Sequence, residues 1–449
     1  MLNCILSVLL SGTLPILYIN TEESQPIVSK DNYIEATYYL DASYTEKYES
    51  VGTKEEPLTL QIRGRGNWTW TSFEKKPYRL KLNKKAALLG MSSNKHFALL
   101  AHADDNRGFL RNTIAFELSR KLGFPFTSEQ RPVEVVLNDE YIGLYFLTET
   151  IRIDKDRLNI YEQKDEETDS ELIKGGWLVE IDNYIDADQI SVKMGNNNDL
   201  LRITYHSPEL LSDNQKQYLI NQFTMICSYI FAYGKSQCQW QELIDIDSLV
   251  KYYILAEITD HFEAFLGSCY LHKDLGEESK WCFGPIWDFG NAFNEGHVKN
   301  KFIYEDAPWP NKLISEIAKF PIFQERVRQL WKIYYPKIYE ELLPFIDNFS
   351  SEIKTAAAYN YTRWPQYGNA DMDKCVRDVK QMLAEKADFL NSQWDMSSYV
   401  NTLSTDLEGQ PLDYYNLAGK RVDNLSGHGI YIVRSQNRDG HVIKRKIVR

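Results

Sequence analysis

Two hydrophobic periods divide this chain, and their order constrains the fold more than any single motif. From Leu14 to Asp182 short apolar runs alternate with polar residues, the period of strands. Residues 14–19, 33–40, 58–62 and 176–182 read as strands. Residues 133–137 and 141–147 read as a hairpin turning at Asn138-Asp139. One helix interrupts them at 110–122, stopped by Gly123. A charged loop spans 162–172. Beyond residue 209 the period becomes helical, over 209–232, 247–263, 310–348 and 374–393, broken by a strand pair near 268–274 and 281–287. Strands with one helix, followed mostly by helices, predict an α+β chain of two lobes rather than repeating βαβ units.

The 449 residues are enough for two or three units, and 43% hydrophobic content supplies a large core. A net charge of −12 argues against nonspecific nucleic-acid binding. The six cysteines form no CxxC pair and no zinc spacing, so they read as small buried residues. The apolar start over residues 1–13 has the length of a signal-peptide core without its basic flank, or else is a first strand. No later run approaches the roughly 18 apolar residues of a membrane span. The last residues, 401–449, read as a linker and a small β unit with Gly and Asn turns. Residues 14–400 are then the main domain.

The segment from Trp281 to Phe293 is aromatic and apolar except for Asp288, followed by Phe289-Gly290. A carboxylate there needs a cation or hydrogen-bond donors. A metal-bound phosphate is one such partner, and backbone N–H groups of a turn are another. Upstream, Gly64-Arg65-Gly66 precedes a strand whose Tyr78, Leu80 and Leu82 share one face, with Arg79 and Lys81 on the other. Glu117 lies on the following helix. A phosphate-binding lysine and a helix glutamate in this order match the parts of a kinase.

In combination these segments resemble the CotH kinase family, the spore-coat-type atypical protein kinases. The resemblance rests on Arg63 to Asn67 with Lys75 to Lys81, Phe97 to Gly123, Val133 to Glu149, Gly175 to Asp182 and Phe283 to Phe293. It implies a kinase-like fold that binds ATP with Mg2+ or Mn2+ and phosphorylates protein hydroxyls. Asp288 would hold the metal, and Lys81 would meet the phosphates, with Arg79, Lys76 and Arg65 as rivals. Glu117 would be the helix partner, and the strand ending at Glu149 would border the adenine. The C-terminal unit resembles short sorting-type β modules of secreted Bacteroidetes proteins, which implies a secreted or cell-surface location.

Departures fall where the catalytic carboxylate is expected. Residues 260–268 place His261 at the family's Asn position, Glu263 at its Asp position and Ser268 at a later polar, metal-facing position. Glutamate is one methylene longer, a displacement of about 1 Å that costs on the order of 10²-fold when uncorrected. Asp260 is the alternative working carboxylate, and His261 a candidate metal ligand or a buried, hydrogen-bonded histidine. These changes keep a second reading open, a catalytically silent surface module binding nucleotide, protein or glycan. Trp68, Trp70, Trp309 and Trp364 motivate the glycan version, and core packing explains them equally.

Overall fold

A computed structural model describes residues 11–395, apart from 186, 196–198, 233, 236–238, 295–299, 306–310 and 369–370, together with the C-terminal strand residues 411–416, 421–422, 430–436 and 442–448. Cys4, Cys238, Trp309 and most of the apolar start lie outside the described residues. The described residues divide into two compact units between Phe389 and Leu390.

In the first unit, seven strands close into a barrel: β1 (Ile16–Thr21), β2 (Ile34–Asp41), β3 (Leu58–Gly64), β4 (Tyr78–Ala86), β5 (Asn94–Leu100), β6 (Gln130–Leu137) and β7 (Glu140–Glu149). Their order is β1-β2-β3-β4-β5-β7-β6, and β6 returns to β1 as the one parallel pair of the barrel. Period-two alternation sends Leu17, Ile19, Tyr38, Leu60, Ile62, Leu80, Leu82, Phe97 and Leu99 inward to one core. Helix α1 (Trp68–Ser72) caps this segment, and the Trp70 ring leaves no room for a Cβ on Gly64. Helix α2 (Arg111–Leu122) ends on Gly123 at φ 70°, as expected.

A second sheet follows, ordered β12-β11-β8-β10-β9. It comprises β8 (Trp177–Ile181), β9 (Gln189–Lys193), β10 (Leu200–Ser207), β11 (Cys269–Lys273) and β12 (Cys282–Phe283). Helices α3 (Asp213–Ile230) and α4 (Ile246–Ile258) carry capping boxes or caps at Ser212 and Asp245. The long helix expected at 310–348 is instead α5 (Lys312–Ile317), α6 (Pro321–Lys337), a single π-turn at Ile338–Leu342 and α7 (Leu343–Arg363). Pro321 starts α6 because a helix's first turn needs no N–H there. Helix α8 spans Met372–Trp394.

The α+β class holds, but the two-lobed division does not emerge. The described residues up to Phe389 form one unit, and its β-rich part is a closed seven-stranded barrel. Helix and barrel pack directly on each other. Ile353, Ala356, Ala357 and Tyr361 of α7 bury against Ala98, Leu144 and Phe146 on the barrel's outer surface. In the second unit, β13 (Pro411–Asn416), β14 (Arg421–Val422), β15 (Ile430–Gln436) and β16 (Val442–Val448) form an antiparallel sheet in the order β14-β13-β15-β16.

Candidate active site

Asp288 sits in a turn beyond β12 with φ 57°, a left-handed conformation that aspartate tolerates better than most residues. The turn is clamped from the start of α2. Asn112 Oδ1 accepts from Phe289 N at 2.7 Å, Arg111 donates to the Gly290 carbonyl, and Arg107 Nε donates to the Phe293 carbonyl at 3.0 Å. Asp105 in turn accepts from the backbone N–H groups of Arg107 and Arg111. The run from Asp104 to Asn112 is thus a cradle for the Asp288 segment.

Asp288 is open to water although protein surrounds it on most sides, the environment of a cleft floor. That enclosure raises its carboxyl pKa, and Glu180 adds to the rise, while Arg65 and the Gly290 N–H oppose it. The Arg65 guanidinium lies over the Trp287 ring at 5.4 Å, and enclosure lowers its pKa against the pull of Asp288. Asp104 approaches from the cradle. A Cβ built on Gly290 would lie 2.9 Å from Asp104 Oδ2 and 3.4 Å from Asp288 Oδ1, so both carboxylates flank the bare Gly290. Burial, then Asp288 and Asp105, push the Asp104 carboxyl up to about 7.

Glu263 reaches this site. Its carboxylate is held between two amides, Asn291 Nδ2 and Asn183 Nδ2, the latter at 3.4 Å. Burial first, then Asp288, raise its pKa. Behind it, Glu180 pairs with His206 Nε2 at 2.6 Å, and His206 stacks on Tyr270.

The facing wall is basic. Arg63 and Arg79 are register partners on β3 and β4, and alternation puts both on the outer barrel surface. Arg79 has a buried Nε without a hydrogen-bond partner. Its guanidinium is drawn down to about 10 by burial, with Arg65, Arg152 and Arg63 contributing. Guanidinium groups gathered in this way suit phosphate oxygens.

The remaining expected residues lie elsewhere. Lys81 is exposed, 6.0 Å from the Tyr33 ring centroid. Glu117 pairs with Arg120 and Lys121 on its own helix, so the expected Lys81–Glu117 pair does not form. Lys76 donates to the Trp70 carbonyl at 2.5 Å. Glu149 accepts from Ser92 and from Glu129 N, and lies 4.0 Å from Arg157 Nε, which ties strand ends together. Asp260 is bound at 3.0 Å by Lys386, which also meets Glu257 at 3.2 Å, so its carboxylate is committed to the interior. His261 is buried against Phe289 with ring centroids 4.4 Å apart. Ser268 follows the Glu263 turn with φ 49°. Trp364 is buried with its Nε1 donating to Ile142 O at 2.8 Å, a core role, whereas Trp68 is exposed.

Sequence reasoning passed over Asp104, Asn291, Asn183 and Glu180. Asn291 had a usable signal, being three residues beyond Asp288 in the same turn.

With this geometry in place, comparison with known families is decisive. The model of the CotH kinase protein family matches residues 62–390. The chain belongs to the CotH kinase family. The match takes in Arg65, Arg79, Asp104, Glu263 and Asp288 together. No curated protein matches the chain.

The family implies a nucleotide and a divalent metal, and the residues present fit them. Two carboxylates crowded around Gly290 are hard oxygen donors whose mutual repulsion a dication relieves. Among the described residues no group of three or more His, Cys, Asp and Glu side chains could hold a metal. The pair therefore suits an ion that takes its other ligands from phosphate and water, as Mg2+ usually does. Among the described residues no helix is long and apolar enough to cross a membrane.

Proposed function

We propose that this CotH kinase family member binds ATP with Mg2+ or Mn2+ and transfers the γ-phosphoryl group to a protein hydroxyl. The observation that carries this reading is the interaction of enclosed Asp288 with Arg65, with Asp104 beside Asp288 and Arg79 beside Arg65. Arg65 and Arg79 would hold phosphate oxygens, and Arg65 is already oriented by Trp287. Asp288 and Asp104 would hold the metal, which when bound supplies neutralisation of the phosphate charge. Glu263 would accept the proton of the acceptor hydroxyl. Its two amide partners fix the longer side chain, which offsets the displacement its extra methylene introduces.

The position of Glu263 beside Asp288, held by two amides, supports the general-base role. The resemblance of the C-terminal strands to sorting modules supports, within the same proposal, a secreted or surface location.

Calorimetry of ATP with Mg2+ or Mn2+ on the wild type and Asp288→Ala tests the site, and phosphate transfer in the same sample tests the reaction. Metal-dependent binding lost in the variant supports the site. Binding without transfer by the wild type selects the silent module. No binding by the folded wild type removes both nucleotide readings.

A further inference from the structure

Beside the Glu263 carboxylate lies a cavity of about 410 Å3 that the phosphate chemistry does not use. Its walls come from the end of β8, the start of β10, the turn after Glu263 and the start of α5. Ile181, Leu201, Phe265 and Leu266 form the apolar part of these walls, which Met194 and Leu200 extend outward, and Asp182, Asn183 and Arg202 form a polar part. Asp199, also in the lining, is matched by Lys312 at 2.5 Å, which cancels one charge pair. Asn183 belongs to both places, for it lines the cavity and donates to Glu263 Oε1 at 3.4 Å. Phe265 and Leu266 follow Glu263 by two and three residues.

We propose that this cavity seats an aliphatic side chain of the acceptor protein, one or two residues from the serine or threonine whose hydroxyl meets Glu263. An extended chain advances about 3.3 Å per residue, so a neighbouring side chain spans the single residue, Asn183, that separates carboxylate from cavity. The volume falls at the low end of ligand pockets and exceeds what one leucine needs, so it tolerates leucine, isoleucine or methionine. Asp182 and Arg202 both line the cavity, and Asp199 is paired with Lys312, so the lining carries no net formal charge and selects by shape rather than by charge. The proposal rests on the transfer reaction above only for the identity of the hydroxyl group. The cavity as a peptide site stands separately.

The test uses the full chain and fluorescein-labelled octapeptides of glycine and alanine with one serine. Four carry a leucine one or two residues before or after the serine, one carries aspartate there, and one carries neither. Fluorescence anisotropy measures binding to the wild type, Leu200→Trp and Met194→Trp, each checked for an unchanged melting midpoint and unchanged ATP heat. The expected result is at least one leucine position binding about tenfold more tightly than the leucine-free peptide, the scale of a filled apolar pocket. That preference should fall to about unity in a folded variant, and aspartate, which cannot fill the apolar part, should show none of it. No leucine preference in the wild type, or one that survives both tryptophans, overturns the proposal. Leucine preference without ATP binding would sink the kinase reading and leave the peptide site standing. ATP binding without leucine preference would do the reverse.

Discussion

Asn112 on α2 and Phe289 in the turn after β12 are joined by one hydrogen bond, Oδ1 to the backbone N–H at 2.7 Å, across 177 residues of chain. Both groups are buried, so this bond fixes the peptide next to Asp288 where water cannot substitute for it. Asn112→Leu leaves that N–H unsatisfied, and the expected loss of stability is about 1–3 kcal/mol. The larger effect should be on function, with metal-dependent ATP affinity falling while Asp288 itself is intact. Asn112→Asp keeps an acceptor at the same place and should recover much of both. Urea unfolding and calorimetry on the two variants check this, and equal losses in both would mean that the acceptor is not what matters.

Lys386 is buried between Glu257 and Asp260 and also donates to the Lys301 carbonyl at 2.7 Å. Lys386→Met should destabilise the protein by about 3–5 kcal/mol, since it strands buried carboxylates. The two carboxylates raise the lysine's pKa against the effect of burial. Its stabilisation is therefore full below the ordinary lysine value of about 10.5 and fades as pH rises through the higher folded value. Denaturant midpoints of wild type and variant should converge only in strong alkali. An unchanged midpoint at pH 7 would show that Asp260 is free for other work.

What the sequence disclosed follows from how local each signal was. Asp288 stood out as the lone charge in an aromatic run, and Arg65 as a cation between two glycines, and both reach the cleft. Glu263 was legible as a residue type in the expected place, but its reach depended on Asn183, 80 residues away. Asp104 was hidden because it sits in a polar run, where only the cradle built by Arg107 and Arg111 shows which carboxylate turns inward. Barrel closure was equally invisible, since β1 and β6 pair across more than a hundred residues with no turn to announce it. Strand β5 lacks alternation because both its faces are buried, the barrel core on one and α7 on the other. The π-turn at Ile338–Leu342 keeps a helical period, so α6 and α7 blended into one stretch.

Lys75 is 1% exposed and meets no carboxylate among the described residues; its Nζ donates to the Ala101 and Leu144 carbonyls at 2.7 and 2.6 Å, beside the Tyr145 ring. Burial drives its pKa well below the ordinary value. Between the folded and unfolded values the unfolded chain binds more protons, so stability rises with pH across that window. Lys75→Met removes this dependence and also strands two carbonyls, which costs about 1–3 kcal/mol each. The variant should thus be weaker than wild type at pH 9.5 by more than at pH 6. A gap that is constant with pH would show that the lysine stays charged in the fold.

Asp104→Asn separates folding from function. With its carboxyl pushed up to about 7, ionised Asp104 opposes folding above that pH by at most about 4 kcal/mol. The asparagine variant should therefore be more stable than wild type at pH 8 without added metal, and nearly equal at pH 4. Its Mn2+ affinity, measured by calorimetry in the presence of ATP, should fall. Undiminished affinity would leave Asp288 as the sole aspartate ligand.

The choice between Arg79 and Lys81 as the phosphate contact is also open to direct measurement. They lie two residues apart on one face of β4, yet Arg79 has a buried unpaired Nε among three other arginines while Lys81 is exposed. Charge-assisted hydrogen bonds are worth about 1.5–3 kcal/mol, so Arg79→Gln should weaken ATP binding by about ten- to a hundredfold. The same change thins a cluster of like charges and should raise, or at least not lower, stability in the absence of nucleotide. Lys81→Gln should leave both quantities nearly unchanged. The opposite pattern, with affinity lost at Lys81 and kept at Arg79, would move the phosphates outward along β4 to the solvent-exposed lysine.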